Sequence, residues 1–176
     1  MEEQANRYFS AVTIFFRKLN PIVTTLILML VISVPITLVS SALDKGIDRY
    51  NQQSIEDSVK DKKLSYIAYD WVIKTPFKEE LIYRSPIALV TLLRNIKFLK
   101  AFIALENPLI FCLIIFPGLI WSQGHAVPYA ALFDSILLGL LVFKIGGLRG
   151  WLSSFLIHLI INFSVFIGFA IHYFLK

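Results

Sequence analysis

The chain has 176 residues, of which 57% are hydrophobic, with a mean hydropathy of +0.70 and a formal net charge of +5. That apolar share exceeds what a water-soluble core of this length can bury, which excludes an ordinary soluble domain. The positive charge does not point to nucleic acid, because Lys and Arg stand between apolar runs and build no basic stripe; they suit loops and lipid headgroups.

Nothing is polar enough for a separate soluble unit or repetitive enough for an array, so residues 1–176 are expected to form one membrane-embedded domain. Cys112, the single cysteine, lies in an apolar run and has no partner for an intrachain disulfide. Met1 to Asn20 has early acidic residues and mixed polarity, without the n-region, h-region and cleavage pattern of a secretory signal. Its cluster Ala11, Val12, Ile14, Phe15, Phe16 suits a short amphipathic helix lying in the interface.

Pro21 to Leu43 contains no charged residue and is long enough for a hydrocarbon core of roughly 30 Å. Asp44 to Lys78 reads as a solvated loop ending in an interfacial belt with Tyr66, Tyr69 and Trp71. A second span runs from about Trp71 to Leu93, its first half crowded by Lys74, Pro76, Lys78, Glu79, Glu80 and Arg84. The third runs from about Ala101 to Trp121, with Glu106 near its start and bends expected at Pro108 and Pro117. The fourth covers about Val127 to Phe143 and includes Asp134; the fifth covers Trp151 to Leu175 with His158, Asn162 and His172. Gly146, Gly147 and Gly150 mark a tight turn between these last two. The expected fold is therefore all-α: a multi-pass membrane helix bundle of about five spans plus an interfacial N-terminal helix. Lys and Arg fall equally on the two sides of this topology, so the positive-inside rule does not orient it.

Ionisable groups at membrane depth are costly and normally face a cavity, a partner or a pathway. In EELIYR, Glu80 and Arg84 are four residues apart and share a helix face, acid first, as the favourable order requires. Glu79 is turned by about 100° from Glu80 and is the freer carboxylate. The alternative is that these charges belong to the loop and the helix begins at Leu81. His125 ends WSQGH after the third run, and the spacing in HLIIN puts His158 and Asn162 on one face of the fifth. Their plainer role would be interhelical hydrogen bonding. Helix parity, however, lets Glu79, His125, His158 and Asn162 meet in one half of the bundle. A carboxylate, two imidazoles and an amide supply a base for water and donors for an oxyanion, which is a hydrolase constellation. HExxH, paired CxxC and GxSxG are absent from the sequence.

Three motifs in this order resemble a known family: EELIYR is similar to EExxxR, WSQGH to FxxxH and HLIIN to HxxxN of the CAAX-protease and bacteriocin-processing membrane peptidases. The resemblance covers roughly Phe77 to Phe163 and departs from the pattern at Trp121, where the family usually has Phe. It implies an intramembrane endopeptidase in which Glu79 with His125 activates water, His158 and Asn162 bind the oxyanion, and Glu80 with Arg84 holds the glutamate helix in register.

The family has been described both as zinc metalloproteases and as metal-independent glutamate peptidases. Zinc on Glu79, His125 and His158 is the alternative, and the lack of compact ligand pairs favours the metal-free route. The implied partners are a peptide or protein substrate, prenylated or a bacteriocin precursor, and the lipid bilayer; the implied location is the bacterial cytoplasmic membrane, with the active-site mouth towards the cytosol. A catalytically idle immunity or scaffold protein is the alternative function, and a small transporter lining an ion path is a third reading that would call for inverted repeats. Asp134, Glu106 and His172 are set aside, Asp134 as a cavity or helix-packing group and His172 as interfacial.

Overall fold

The computed structural model describes residues 20–43, 57, 59–60, 62–96, 99, 103–104, 107–125 and 127–174. The expected interfacial helix before Asn20, Glu106 and most of the Asp44–Lys63 loop lie outside them. Among the described residues every regular element is helical.

The first passage comprises α1 (Pro21–Leu28), a π-helical turn (Met29–Ser33) and α2 (Val34–Leu43). Asn20 starts it by accepting the Ile22 amide on Oδ1 at 2.9 Å, with Pro21 in the first turn, where no intrahelical donor is required. The next helical stretch begins at Leu64, earlier than the expected second span: α3 (Leu64–Ala68), a π-helical segment (Tyr69–Lys74), α4 (Thr75–Tyr83) and α5 (Ser85–Leu92). The charges of EELIYR therefore sit within or at the end of a helix, not in a loop that precedes Leu81. The break at Arg84 (φ −113°) follows from Pro86, which has no N–H to offer the preceding turn.

The apolar helix α6 (Pro108–Ser122) is shorter than the expected run from Ala101, because Asn107 caps the helix and Pro108 fixes its first turn. Its 15 residues reach about 22 Å. The helices α7 (Pro128–Ile145) and α8 (Gly147–Phe174) follow, joined by Gly146 and Gly147 at φ +83° and +52°. Only glycine takes such angles without strain. Gly150 belongs to α8, not to the turn.

Three stretches are long and apolar enough to cross a membrane: Pro21–Val39, Pro128–Ile145 and Gly147–Ile171. Large apolar side chains such as Leu30, Leu38, Phe111, Ile120, Leu156 and Val165 point outwards and exposed. In water so broad an apolar surface would drive aggregation, whereas in a bilayer it meets lipid tails. These features are compatible with an integral membrane protein.

The centre of the bundle is α7, which packs against α6, α8, α5 and the first passage. Gly118 and Gly139 let α6 and α7 approach: a Cβ at Gly118 would lie 3.1 Å from Ser135 Oγ, and one at Gly139 would lie 3.0 Å from Ile114 Cγ2. One apolar cluster forms around Ile87, Ile114 and Val142, and a second around Met29, Leu138, Leu141 and Ile157. Polar side chains are buried between them: Glu80, Arg84, Ser122, Ser135, Ser154 and His158.

Candidate active site

Two glutamates on α4 meet one histidine on α8. His158 Nδ1 lies 3.1 Å from Glu80 Oε1, and His158 Nε2 lies 3.3 Å from Glu79 Oε2. Trp151, two turns earlier on α8, donates its indole N–H to the Glu80 carbonyl at 3.0 Å. Phe77 meets Trp151 and Phe155 edge-on, so aromatic contacts pack α4 against α8 beside the charged groups.

The two carboxylates differ in setting. Glu80 is completely buried, and its Oε1 also stands 3.7 Å from Arg84 Nε. Glu79 keeps 20% of its side-chain exposure and lines a cavity of about 570 Å³. Trp121, His125, Asp134, His158 and Asn162 line the same cavity. The structure thus brings Glu79, His125, His158 and Asn162 together around one space and sets Glu80 and Arg84 behind it. The expected Glu80–Arg84 pairing is present, but the shorter contact of Glu80 is to His158.

Hydrogen-bond partners constrain both imidazoles. His125 Nδ1 lies 2.9 Å from the Trp121 carbonyl, which only accepts, so Nδ1 carries the proton and a neutral ring keeps a lone pair on Nε2. At His158 the Nδ1–H donates to the Glu80 carboxylate, which stands beside the Arg84 guanidinium. Nε2 and Glu79 Oε2 then face each other as two acceptors unless one proton lies between them. The Glu79–His158 pair is therefore a natural store for a single proton.

Asn162 makes an interhelical hydrogen bond, the plainer role its sequence setting suggests, with a partner that setting does not name. In the π-helical segment Tyr69–Lys74 the Thr75 amide bonds to the Asp70 carbonyl, five residues back. The next donor in that pattern would be Pro76, which has no N–H, so the Trp71 carbonyl lacks its wide-turn partner. Asn162 Nδ2 donates to that carbonyl at 3.0 Å. One amide hydrogen and the carbonyl oxygen of Asn162 remain.

Asp134 lines the cavity and also accepts a hydrogen bond from the Ser33 hydroxyl, which ties α7 to the first passage. Both roles weighed for it from the sequence are present together; Ser33 itself, an unremarkable serine in an apolar run, carried no signal. His172 lies in the last turn of α8. Among the described residues no three His, Cys, Asp or Glu side chains stand close enough together to hold a metal ion. No family model, curated relative or solved structure matches the chain.

Proposed function

We propose that the chain is an intramembrane endopeptidase of the CAAX-protease and bacteriocin-processing type, a five-passage bundle of the bacterial cytoplasmic membrane. The observation that carries this reading is the 3.3 Å approach of Glu79 to His158 within a cavity that His125 and Asn162 also line. In the five-passage count the second passage runs from Leu64 to Leu92 and the short α6 is the third. Such a bundle would carry its site on α4, α8 and the end of α6.

In the proposed reaction a cavity water adds to the carbonyl carbon of the scissile bond while Glu79 takes its proton, with His125 Nε2 as a second acceptor for the same water. The carbonyl π electrons pass to oxygen, and His158 Nε2–H and the free amide hydrogen of Asn162 donate to it. The oxyanion then collapses, the C–N bond breaks, and the leaving nitrogen takes the proton that Glu79 removed from water, which returns the Glu79–His158 pair to its single proton. A carboxylic acid and an amine result. Glu80 and Arg84 act from behind, fixing the His158 ring.

The substrate would be a peptide or protein reached from the bilayer, prenylated or a bacteriocin precursor. The route uses no metal, and zinc on Glu79, His125 and His158 is the alternative that chelation tests. Purified protein in liposomes, incubated with a peptide library and read by mass spectrometry for new termini, should cleave some members, and the Glu79→Gln variant should cleave none while melting like the wild type. A silent wild type, or an active Glu79→Gln, rejects the proposal.

A further inference from the structure

The proposed reaction employs Glu79, His125, His158 and Asn162 and leaves one ionisable group of the cavity without a task. That group is Asp134 on α7. Val127, Ala130, Ala131 and Leu138 line the cavity beside it. Steps of three and four residues connect these positions, so they form one face of the helix, and the Asp134 side chain is turned to the cavity with them.

An ionisable side chain at membrane depth is costly, and proteins offset that cost by pairing it or by using it on a substrate path. Asp134 is not paired. Its one hydrogen bond among the described residues comes from the Ser33 hydroxyl to Oδ1, and it makes no ion pair with them. Oδ2 has no hydrogen-bond partner and stays accessible. The cavity wall supplies no cation for it, since the lining holds two carboxylates, Glu79 and Asp134, and no Lys or Arg. The two imidazoles are engaged with the Trp121 carbonyl and the two glutamates, and the buried Arg84 faces Glu80. The missing positive charge would therefore come with the occupant.

We propose that Asp134 is a substrate-binding residue that selects a peptide with a lysine or arginine side chain beside the scissile bond. The inference rests on the peptidase reading and names the substrate class of that site. The ammonium or guanidinium group donates to Oδ2, while the Ser33 hydroxyl holds Oδ1 in place. The aliphatic stem of such a side chain finds apolar wall in Met29 and Leu138, which pack together and line the same cavity. The volume of about 570 Å³ falls within the roughly 300–1,000 Å³ of ordinary ligand pockets.

The test uses a peptide that the wild type cleaves in liposomes, resynthesised with lysine, arginine, norleucine or glutamate in turn at each position flanking the cleaved bond. At one of these positions the wild type should show kcat/KM about 10- to 100-fold higher for lysine or arginine than for norleucine, with glutamate the poorest. Asp134→Asn keeps an amide oxygen for the Ser33 hydroxyl and removes the charge. Its lysine-to-norleucine ratio should fall to near unity, with a melting curve close to wild type. A second readout needs no variant: bonds that the wild type cleaves in a peptide library should be flanked by Lys and Arg more often than chance and by Asp and Glu less often. Cleavage without a basic preference, or a ratio that survives in Asp134→Asn, overturns the inference and leaves the peptidase reading intact. An active Glu79→Gln, or a wild type that cleaves nothing, removes both.

Discussion

Replacing Arg84 by Met removes a buried charge while keeping much of the side-chain volume, and it leaves the fully buried Glu80 with His158 as its one close partner. The guanidinium stands 3.7 Å from the carboxylate. Two unit charges about 4 Å apart attract by about 4 kcal/mol at an effective dielectric near 20, and breaking a buried pair from one side typically costs about 3–5 kcal/mol. Arg84 itself makes no hydrogen bond through Nε, Nη1 or Nη2, so little else of its contribution is lost beyond its contact with the Trp121 ring. Arg84→Met should therefore destabilise the protein by about 3 kcal/mol, the lower end of that range, because the Glu80 carboxylate keeps its hydrogen bond from His158 Nδ1. The double variant Arg84→Met/Glu80→Gln leaves no buried charge stranded and should recover most of the loss. Unfolding in mixed micelles titrated with a denaturing detergent gives both values. A single variant as stable as wild type, or a double variant no better than the single, would refute the claim that Glu80 is held as a carboxylate by Arg84.

Three other outcomes follow from the same geometry. Asn162→Ala should lose about 1–3 kcal/mol, because it leaves the Trp71 carbonyl without the donor that Pro76 cannot supply; the same unfolding titration reads it. Gly147→Ala should lose at least the 1–2 kcal/mol typical of a left-handed backbone, since φ is +52° and the added Cβ would stand 2.6 Å from Leu92 Cδ2; the melting temperature should fall. Cleavage should survive exhaustive treatment with a strong chelator, whereas loss of cleavage restored by zinc would transfer activation of the water to a metal.

The apolar runs told most about the fold. The charge-free stretch after Pro21 and the runs that became α7 and α8 began within a few residues of their observed starts, because length and hydropathy alone set those elements. The second passage was harder. Leu64 to Lys74 mixes tyrosines, Asp70 and Lys74 with apolar residues, so composition suggested a loop where the chain forms a helix with a wide turn. The start of α6 also lies later than the apolar run implies, since Pro108, a bend if the helix begins at Ala101, forms its cap with Asn107.

For the site, the 100° step between neighbouring helical residues fits a Glu79 that lines the cavity beside a buried Glu80, and His125, His158 and Asn162 line the same space. The contact of Glu80 with His158 joins residues 78 positions apart, and no local spacing encodes it. The same holds for Asn162 with Trp71 and for Ser33 with Asp134, each of which depends on how separate passages pack.

The central claim is that Glu79, and not Glu80, removes the proton from the attacking water. Cleavage under single-turnover conditions by Glu79→Gln and Glu80→Gln, each with its melting curve, tests it most directly. Glu79→Gln should be inactive and as stable as the wild type, since Glu79 is partly exposed to the cavity, while Glu80→Gln should retain measurable cleavage and lose stability. An active Glu79→Gln beside a dead but fully stable Glu80→Gln would contradict the account.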